Sequence, residues 1–426
     1  MLPEIVNKTH KLAVIGLGYV GLPVAIAFAK RVSVIGYDSD PTRIQQLNRH
    51  RDPNNEMTAS DFEWTDLVFT HDPAALVNAG VFIITVPTPV NKNNIPDLKN
   101  LLEATSLVGQ YLKKGDFVIY ESTTFPGCTE EECIPLLEKI SGLTIGKDFK
   151  TGYSPERINP GDLNHQFINL PKVVSASDAG ALSEIISLYA LVVSAPLHAA
   201  PSIRVAEASK ILENTQRDVN IALMNEMSLI FDRMGINSQD VFEAAAGKWN
   251  FLPFKPGLVG GHCTGVDPYY LIYKSLSLGY TPTLIQSARF VNDGMALYVA
   301  NRVLDHVKRF TRHPKILVKG ITFKENVRDL RNAIISNTIR ELLANGVEVE
   351  VEDPMADPQS VEKQYGFLPV LKESDDYDAV IITVEHSAYK QLNEAYYCSI
   401  TKEQGLIADL KGIYRNLIHQ RKYWTL

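Results

Sequence analysis

Cysteine is scarce in this sequence: Cys128, Cys133, Cys263 and Cys398 are the four in 426 residues. Such sparse usage supports no disulfide framework and fits a reducing compartment. There is no Cys-x-x-Cys pair and no His-Glu-x-x-His, so no metal site is signalled. An excess of positive charge is missing too. The net charge is -7 with 21% charged residues, so nothing argues for nucleic acid, although a local anion site at a helix N-terminus remains open. Residues 12–29, "LAVIGLGYVGLPVAIAFA", are uncharged for 18 positions and follow Lys8 and Lys11, as a signal segment or membrane span would. Three glycines and Pro23 interrupt that run, and their spacing has a mechanical explanation of its own.

What is present is a chain with 45% hydrophobic residues, enough for two or three domains around large cores. "KLAVIG" reads as a buried strand, and "VGLPVAIAFAK" as a helix whose first turn tolerates Pro23. "VSVIGYD" is a second strand ending on Asp38, twenty residues after Gly18. Gly16, Gly18 and Gly21, with Tyr19 and Val20 between the last two, form a dinucleotide turn in its required context. Gly16 permits the turn, Gly18 lets the backbone approach a pyrophosphate, and Gly21 lets helix and strand pack closely. Asp38 suits a ribose diol and repels a 2′-phosphate, which favours NAD over NADP. Arg43 lies near enough to flank an adenine, or it is a solvated helix arginine.

Further strands at "DLVFT" (66–70), "AGVFIITVPTP" (79–89) and "DFVIYESTTFPG" (116–127) alternate with helical segments, which predicts a doubly wound parallel sheet. Thr85, Thr88, Ser122 and Thr123 fall at the carboxyl ends of these strands, where such sheets bind ligands. Each hydroxyl is a candidate for cofactor or substrate, or a loop cap. From Ile203 to Met234 there is neither glycine nor proline, which predicts one helix of roughly 48 Å that links domains and packs on another subunit. Lys210, Asn214 and Arg217 share a face of it, with Leu212, Val219 and Leu223 pointing elsewhere. That stripe is either solvated or lines a cleft for an oxyanion and a phosphate.

The last third repeats the first. "KILVKG" and "VEVEVEDP" read as strands around the helix "AIISNTIRELLANG", and "YDAVIITVEH" (377–386) echoes "AGVFIITVPT" (79–88). No Gly-x-Gly-x-x-Gly follows the first of these strands, so a mononucleotide end of a substrate is the economical ligand, with Lys324, Arg328 and Arg331 as its positive charge. The expected fold is α/β, with two Rossmann-like doubly wound domains joined by a long central helix. Its expected domains are 1–200 for NAD, 201–305 for the helical dimerisation region and 306–426 for the substrate nucleotide.

The ordered motifs "GLGYVGLP", "ESTTFPG", "SPER", "ASKILENTQRDVNIALMNE", "GGHCTGVD" and "GITFKENVRDLRN" cover nearly the whole chain. Together they resemble the UDP-glucose/GDP-mannose dehydrogenase family of NAD-dependent nucleotide-sugar 6-dehydrogenases. The resemblance implies an N-terminal NAD domain, a homodimer through the central helix, a C-terminal UDP-binding domain and a UDP-sugar substrate; the cysteine usage, charge and interrupted apolar run point to a cytoplasmic location with no nucleic-acid or membrane partner. It implies that Cys263 is the nucleophile, although an isolated cysteine is commonly a packing residue. Two hydrides leave the same carbon, C6 of the sugar, and a thiol captures the intermediate aldehyde so that the second oxidation yields a thioester. An adjacent cation favours the thiolate.

By the same resemblance Lys210 and Asn214 stabilise an oxyanion, Asp267 serves the hydrolytic water, and Glu156 and Thr123 stand around that water and the cofactor. Arg157, Ile158, Arg217, Gly257, Gly260 and Lys324 match substrate contacts, and Arg331 an arginine that reaches NAD. Two departures bear on the branch: Val266 stands where many UDP-glucose dehydrogenases have lysine, and Pro160 where they have a second acidic residue. "SPERINPG" and "GGHCTGVDPYYL" look more like enzymes acting on UDP-N-acetylglucosamine or UDP-N-acetylgalactosamine, which feed capsule, Vi-type or O-antigen assembly. UDP-glucose and UDP-N-acetylmannosamine are the alternative substrates. A hydroxyacid dehydrogenase making one NADH without a cysteine, and a non-catalytic NAD-binding scaffold, are the rival functions.

Overall fold

The computed structural model describes residues 1–54, 56–157, 166–261 and 263–426. The chain divides into two compact units, Met1–Asn214 with Tyr269–Thr281, and Thr215–Pro268 with Pro282–Leu426.

The first unit holds strands β1 (Lys11–Ile15), β2 (Val34–Tyr37), β3 (Leu67–Thr70), β4 (Ala79–Ile84), β5 (Phe117–Tyr120), β6 (Lys150–Tyr153), β7 (Lys172–Ala176) and β8 (Leu197–Ala199). Their order is β3-β2-β1-β4-β5-β6-β7-β8, parallel throughout except for the β6/β7 pair. Helix α1 (Leu2–Val6) precedes β1, and helices α2 (Gly21–Ala29), α3 (Pro41–Leu47), α4 (Lys99–Tyr111), α5 (Ile134–Ser141) and α6 (Ala179–Tyr189) lie between strands. The central strands are continuous apolar runs because both faces are covered; β4 and β5 are buried at every position. Residues 12–29 are therefore interior for a different reason than a membrane span. The run is divided between β1 and the nine-residue α2, and among the described residues no helix is long and apolar enough to cross a membrane.

Helix α7 (Ile203–Met234) is continuous over the predicted range. Beyond it lie α8 (Ser238–Ala246), α9 (Asp267–Ser277) and α10 (Thr283–Val307). The second unit carries the parallel sheet β10-β9-β11-β12-β13, built from β9 (Lys315–Lys319), β10 (Glu348–Glu352), β11 (Tyr377–Ile382), β12 (Thr401–Asp409) and β13 (Lys422–Thr425). Helices α11 (Ile335–Ala344), α12 (Pro358–Tyr365) and α13 (Glu394–Ile400) complete it. One face buries Ile316, Val318 and Ile381 under Val299, Val303 and Ile339; the other buries Leu317, Val380 and Ile382 against Tyr389, Tyr397 and Tyr414.

The repeat seen in the sequence has an atomic basis. Thr85 Oγ1 donates to the carbonyls of Ile15 (3.0 Å) and Gly16 (2.7 Å), and Thr383 Oγ1 does the same to Lys319 (3.2 Å) and Gly320 (2.8 Å). Gly16 (φ 92°) and Gly320 (φ 101°) both need the left-handed region, and a Cβ on either would strike the next valine, Val86 or Val384. Each turn lies where the strand order reverses, between β1 and β4 and between β9 and β11, the position at which open α/β sheets bind nucleotides.

Candidate active site

The turn after β1 is shaped for a dinucleotide. A Cβ on Gly21 would lie 1.8 Å from the Gly16 carbonyl, whereas one on Gly18 would meet nothing within 4 Å, so Gly18 borders open space. Asp38 at the end of β2 accepts from Leu17 N (2.8 Å, Oδ2) and Asp40 N (3.0 Å, Oδ1), which holds its carboxylate at the turn. Tyr19 and Val20 continue the turn, Val20 as the residue before α2. These residues fit NAD: a close-approach glycine, a helix N-terminus for phosphate and a fixed acid for a ribose diol.

Arg43 is not the solvated helix arginine that the sequence allowed. Its Nε donates to Leu17 O (2.9 Å) and its Nη1 to buried Asp52 (2.8 Å), so it bolts the dinucleotide turn to the loop after α3. Three of the strand-end hydroxyls also donate to backbone. Thr85 closes the Gly16 turn, Ser122 donates to Val86 O (2.8 Å), and Thr88 donates to Thr123 O (2.6 Å). Thr123 is thereby placed by Thr88.

Within the first unit α7 turns its polar stripe inward. Lys210 and Asn214 are 5% and 4% exposed while Leu212 is 64% exposed, the reverse of a solvated polar face. Lys210 Nζ donates to Glu156 O (2.7 Å) and stands 3.6 Å from its carboxylate. Burial raises the pKa of Glu156, opposed by the charges of Lys210 and Lys172. Glu207, one turn earlier on α7, accepts from Gly127 N, Thr129 N, Thr129 Oγ1 and Thr124 Oγ1, and so fastens the turn that carries Thr123. Arg157 pairs with Glu213 and donates to Pro171 O (2.9 Å). Ile158 and Pro160 lie outside the described residues.

In the second unit the loop before α9 is built on glycines. A Cβ on Gly260 would lie 2.6 Å from Asn332 O, and Gly261 (φ 80°) packs on the Phe323 ring while exchanging hydrogen bonds with Asn332 (3.1 and 2.8 Å). The glycines thus serve the loop's own docking. Cys263, half-buried, ends the loop; its carbonyl accepts from Val266 N (3.0 Å) and Asp267 N (2.8 Å), which starts the turn into α9. Asp267, 2% exposed, is the first residue of α9, where a negative charge is favoured. Val266 is buried as well. Arg217 is exposed and reaches Thr264 Oγ1 at 3.4 Å. Lys324 is half-buried, and Arg331 makes a bidentate pair with Asp329 (2.8 and 2.7 Å).

Sequence reasoning missed Asn225, which grips Gly257 from α7, and Lys411, whose Nζ lies 3.4 Å from where a Gly257 Cβ would stand. Burial lowers the Lys411 pKa, against the pull of Glu325 and Glu385. Its position just past the carboxyl end of β12 was the available signal, since ligands in such sheets bind there. Glu207, Glu121 and Lys172 were missed too, because buried charge pairs made across the fold leave no local pattern.

A dinucleotide turn in one sheet, a second nucleotide-type sheet and the buried Lys210, Asn214 and Glu156 side chains define an NAD-dependent oxidoreductase acting on a nucleotide-bearing substrate. Residues 10–193 match the NAD binding domain, 204–294 the central domain and 317–416 the UDP binding domain of the UDP-glucose/GDP-mannose dehydrogenase family. The chain belongs to that family. It is 46% identical over 409 residues to a UDP-N-acetyl-D-glucosamine 6-dehydrogenase of Pseudomonas aeruginosa, covering 95% of this chain and 97% of the relative. It is 45% identical to the Salmonella typhi protein of the same name, over 95% and 96%. A UDP-D-ManNAc dehydrogenase structure from Pyrococcus horikoshii superposes with a TM-score of 0.86 at 30% identity, over 97% and 98% of the two chains.

Proposed function

We propose that this chain oxidises the C6 hydroxyl of UDP-N-acetylglucosamine or UDP-N-acetylgalactosamine to a carboxylate through a thioester on Cys263, for surface polysaccharide assembly in the cytoplasm. The observation that carries the substrate class is the 46% identity, over 95% of the chain, to a UDP-N-acetyl-D-glucosamine 6-dehydrogenase. NAD+ would supply the hydride acceptor for two oxidations at C6. Asp38 and the Gly16–Gly21 backbone would hold it in residues 1–200, and residues 306–426, with Lys324 and Lys411, would hold the UDP moiety.

Cys263 Sγ adds to the aldehyde carbon as its oxygen gains negative charge, which the Lys210 ammonium and Asn214 amide stabilise. The thiohemiacetal loses a hydride and becomes a thioester. Water then adds, the C–S bond breaks, and a thiolate departs more readily than an alkoxide. Asp267 orients this water, and the Glu156 carboxylate takes its proton. NADH release over a panel of UDP-glucose and the UDP-N-acetyl derivatives of glucosamine, galactosamine and mannosamine tests this. Two NADH per UDP-N-acetylglucosamine or UDP-N-acetylgalactosamine are expected. Turnover with UDP-glucose alone, or one NADH with aldehyde as end product, refutes it. Turnover with the mannosamine derivative alone supports the second reading, favoured by the TM-score of 0.86 to a UDP-D-ManNAc dehydrogenase.

A homodimer through α7 is part of this proposal. Val205, Leu212, Leu223, Ile230 and Met234 are between 41% and 64% exposed and recur at helical spacing along one side of α7, an apolar stripe that a second copy would cover. Light scattering on Leu212→Glu/Leu223→Glu should give half the wild-type mass; an unchanged mass counts against this interface.

A further inference from the structure

Deep in the first unit, the residue after β5 and the first residue of β7 form a buried ion pair outside the roles given above. Lys172 Nζ donates to Glu121 Oε2 at 2.9 Å, with side-chain exposures of 5% and 0%. Tyr189, the last residue of α6, donates its hydroxyl to Glu121 Oε1. The ammonium also lies 5.0 Å from the Tyr189 ring centre and 5.1 Å from that of Phe167. An ion pair so deep adds little net stability, because desolvation offsets the attraction and apolar residues of similar volume pack at least as well. Packing alone therefore does not account for it.

Its surroundings do. Lys172 Nζ is 3.5 Å from the carbonyl of Pro155, and Lys210 Nζ is 2.7 Å from the carbonyl of Glu156. The two peptide carbonyls that flank the Glu156 Cα each face a lysine ammonium, within a full hydrogen bond for Lys210 and at the limit of hydrogen-bond reach for Lys172. We propose that Lys172, locked by Glu121 and Tyr189, is a positioning residue for Glu156: it steadies the backbone on which that carboxyl stands and presents a buried positive charge to it. The proposal rests on the proton-carrying role given to Glu156 above.

Among the described residues, the charged groups that act most on Glu156 are Lys210 from α7, Lys172 from β7 and Glu121 from the turn after β5. Burial raises its pKa, the two lysines lower it, and Glu121 raises it. Loss of the Lys172 charge therefore leaves Glu156 harder to ionise. Loss of the Glu121 charge leaves it easier.

The test is the pH dependence of kcat, measured with whichever UDP-sugar of the panel turns over, for wild type, Glu156→Gln, Lys172→Met, Lys172→Arg, Glu121→Gln and the double variant Lys172→Met/Glu121→Gln. The limb that disappears in Glu156→Gln belongs to Glu156. It should move up by about 1 pH unit or more in Lys172→Met and down by a similar amount in Glu121→Gln, and lie near the wild-type position in Lys172→Arg and the double variant. A limb that stays in place in both single charge removals, with only kcat reduced, overturns the proposal.

The same shifts are read without turnover by 13C NMR titration of the Glu156 carboxyl, identified by its absence in Glu156→Gln; an unmoved titration in both single variants overturns the proposal as well. If Glu156→Gln keeps the wild-type profile, the role proposed for Glu156 in the reaction fails, while the NMR titration still decides what Lys172 does. Should Lys172→Met fail to fold with Glu121 left unpaired, the double variant against Glu121→Gln isolates the same charge, and Glu156 must titrate higher in the double.

Discussion

Asn225 holds Gly257 from both sides: Gly257 N donates to Asn225 Oδ1 (2.8 Å) and Asn225 Nδ2 donates back to Gly257 O (3.0 Å). The amide of Asn225 also reaches Asn292 Oδ1 (2.8 Å), and Asn292 and Arg289 converge on buried Asp218 (2.7 and 2.6 Å). The loop that leads to Cys263 is thus anchored on a buried polar chain between α7 and α10. Asn225→Ala removes three buried hydrogen bonds and strands their partners, a loss of about 1–3 kcal/mol or more. The KM for the UDP-sugar should rise about 10-fold or more while the KM for NAD stays within about 2-fold, read from initial rates.

Cys263→Ser should abolish the carboxylate product. An alkoxide is a poorer leaving group than a thiolate, so steady-state NADH formation should fall by roughly three orders of magnitude. Mass spectrometry of quenched reactions should find aldehyde or unreacted sugar. Undiminished carboxylate would remove Cys263 from the mechanism.

The glycines of the first turn separate by their surroundings. Gly21→Ala drives a Cβ to 1.8 Å from the Gly16 carbonyl, so the variant should lose Tm or fail to fold with or without NAD. Gly18→Ala meets nothing within 4 Å and should keep the wild-type Tm while its KM for NAD rises about 10-fold. Parallel thermal melts and NAD titrations of the two variants check the contrast.

Asp116, 4% exposed before β5, has its pKa raised by burial to about 6 from an ordinary value of 3.8, despite accepting from Lys113 N (2.8 Å). The folded state binds its proton more tightly than the unfolded state does. Its ionised form therefore costs stability above about pH 6, and the cost fades as pH falls towards 4. Asp116→Asn should raise Tm at pH 8 and give no gain at pH 4. An equal effect at both pH values would contradict this assignment.

Much of this was legible along the chain. The turn at Gly16, Gly18 and Gly21 and the acid at Asp38 are local requirements of a strand-turn-helix unit, so spacing alone revealed them. Helix α7 was legible because 32 residues without glycine or proline leave few alternatives. The echo of "IITV" was legible too, and its reason is the shared bond from Thr85 and Thr383 to the carbonyls of the preceding turn.

What the sequence determined by itself is therefore whatever depends on neighbours within one element: the two sheets, the dinucleotide turn, the single long helix and the ordered motifs of the family. Only the tertiary structure decided which face of α7 is buried, that Arg43 clamps Asp52 and that Glu207 fastens the Thr123 turn. It also decided that Glu121 meets Lys172, 51 positions away, behind Glu156. Such pairs are set by desolvation and distance in a packed interior, and neither quantity exists until the chain has folded.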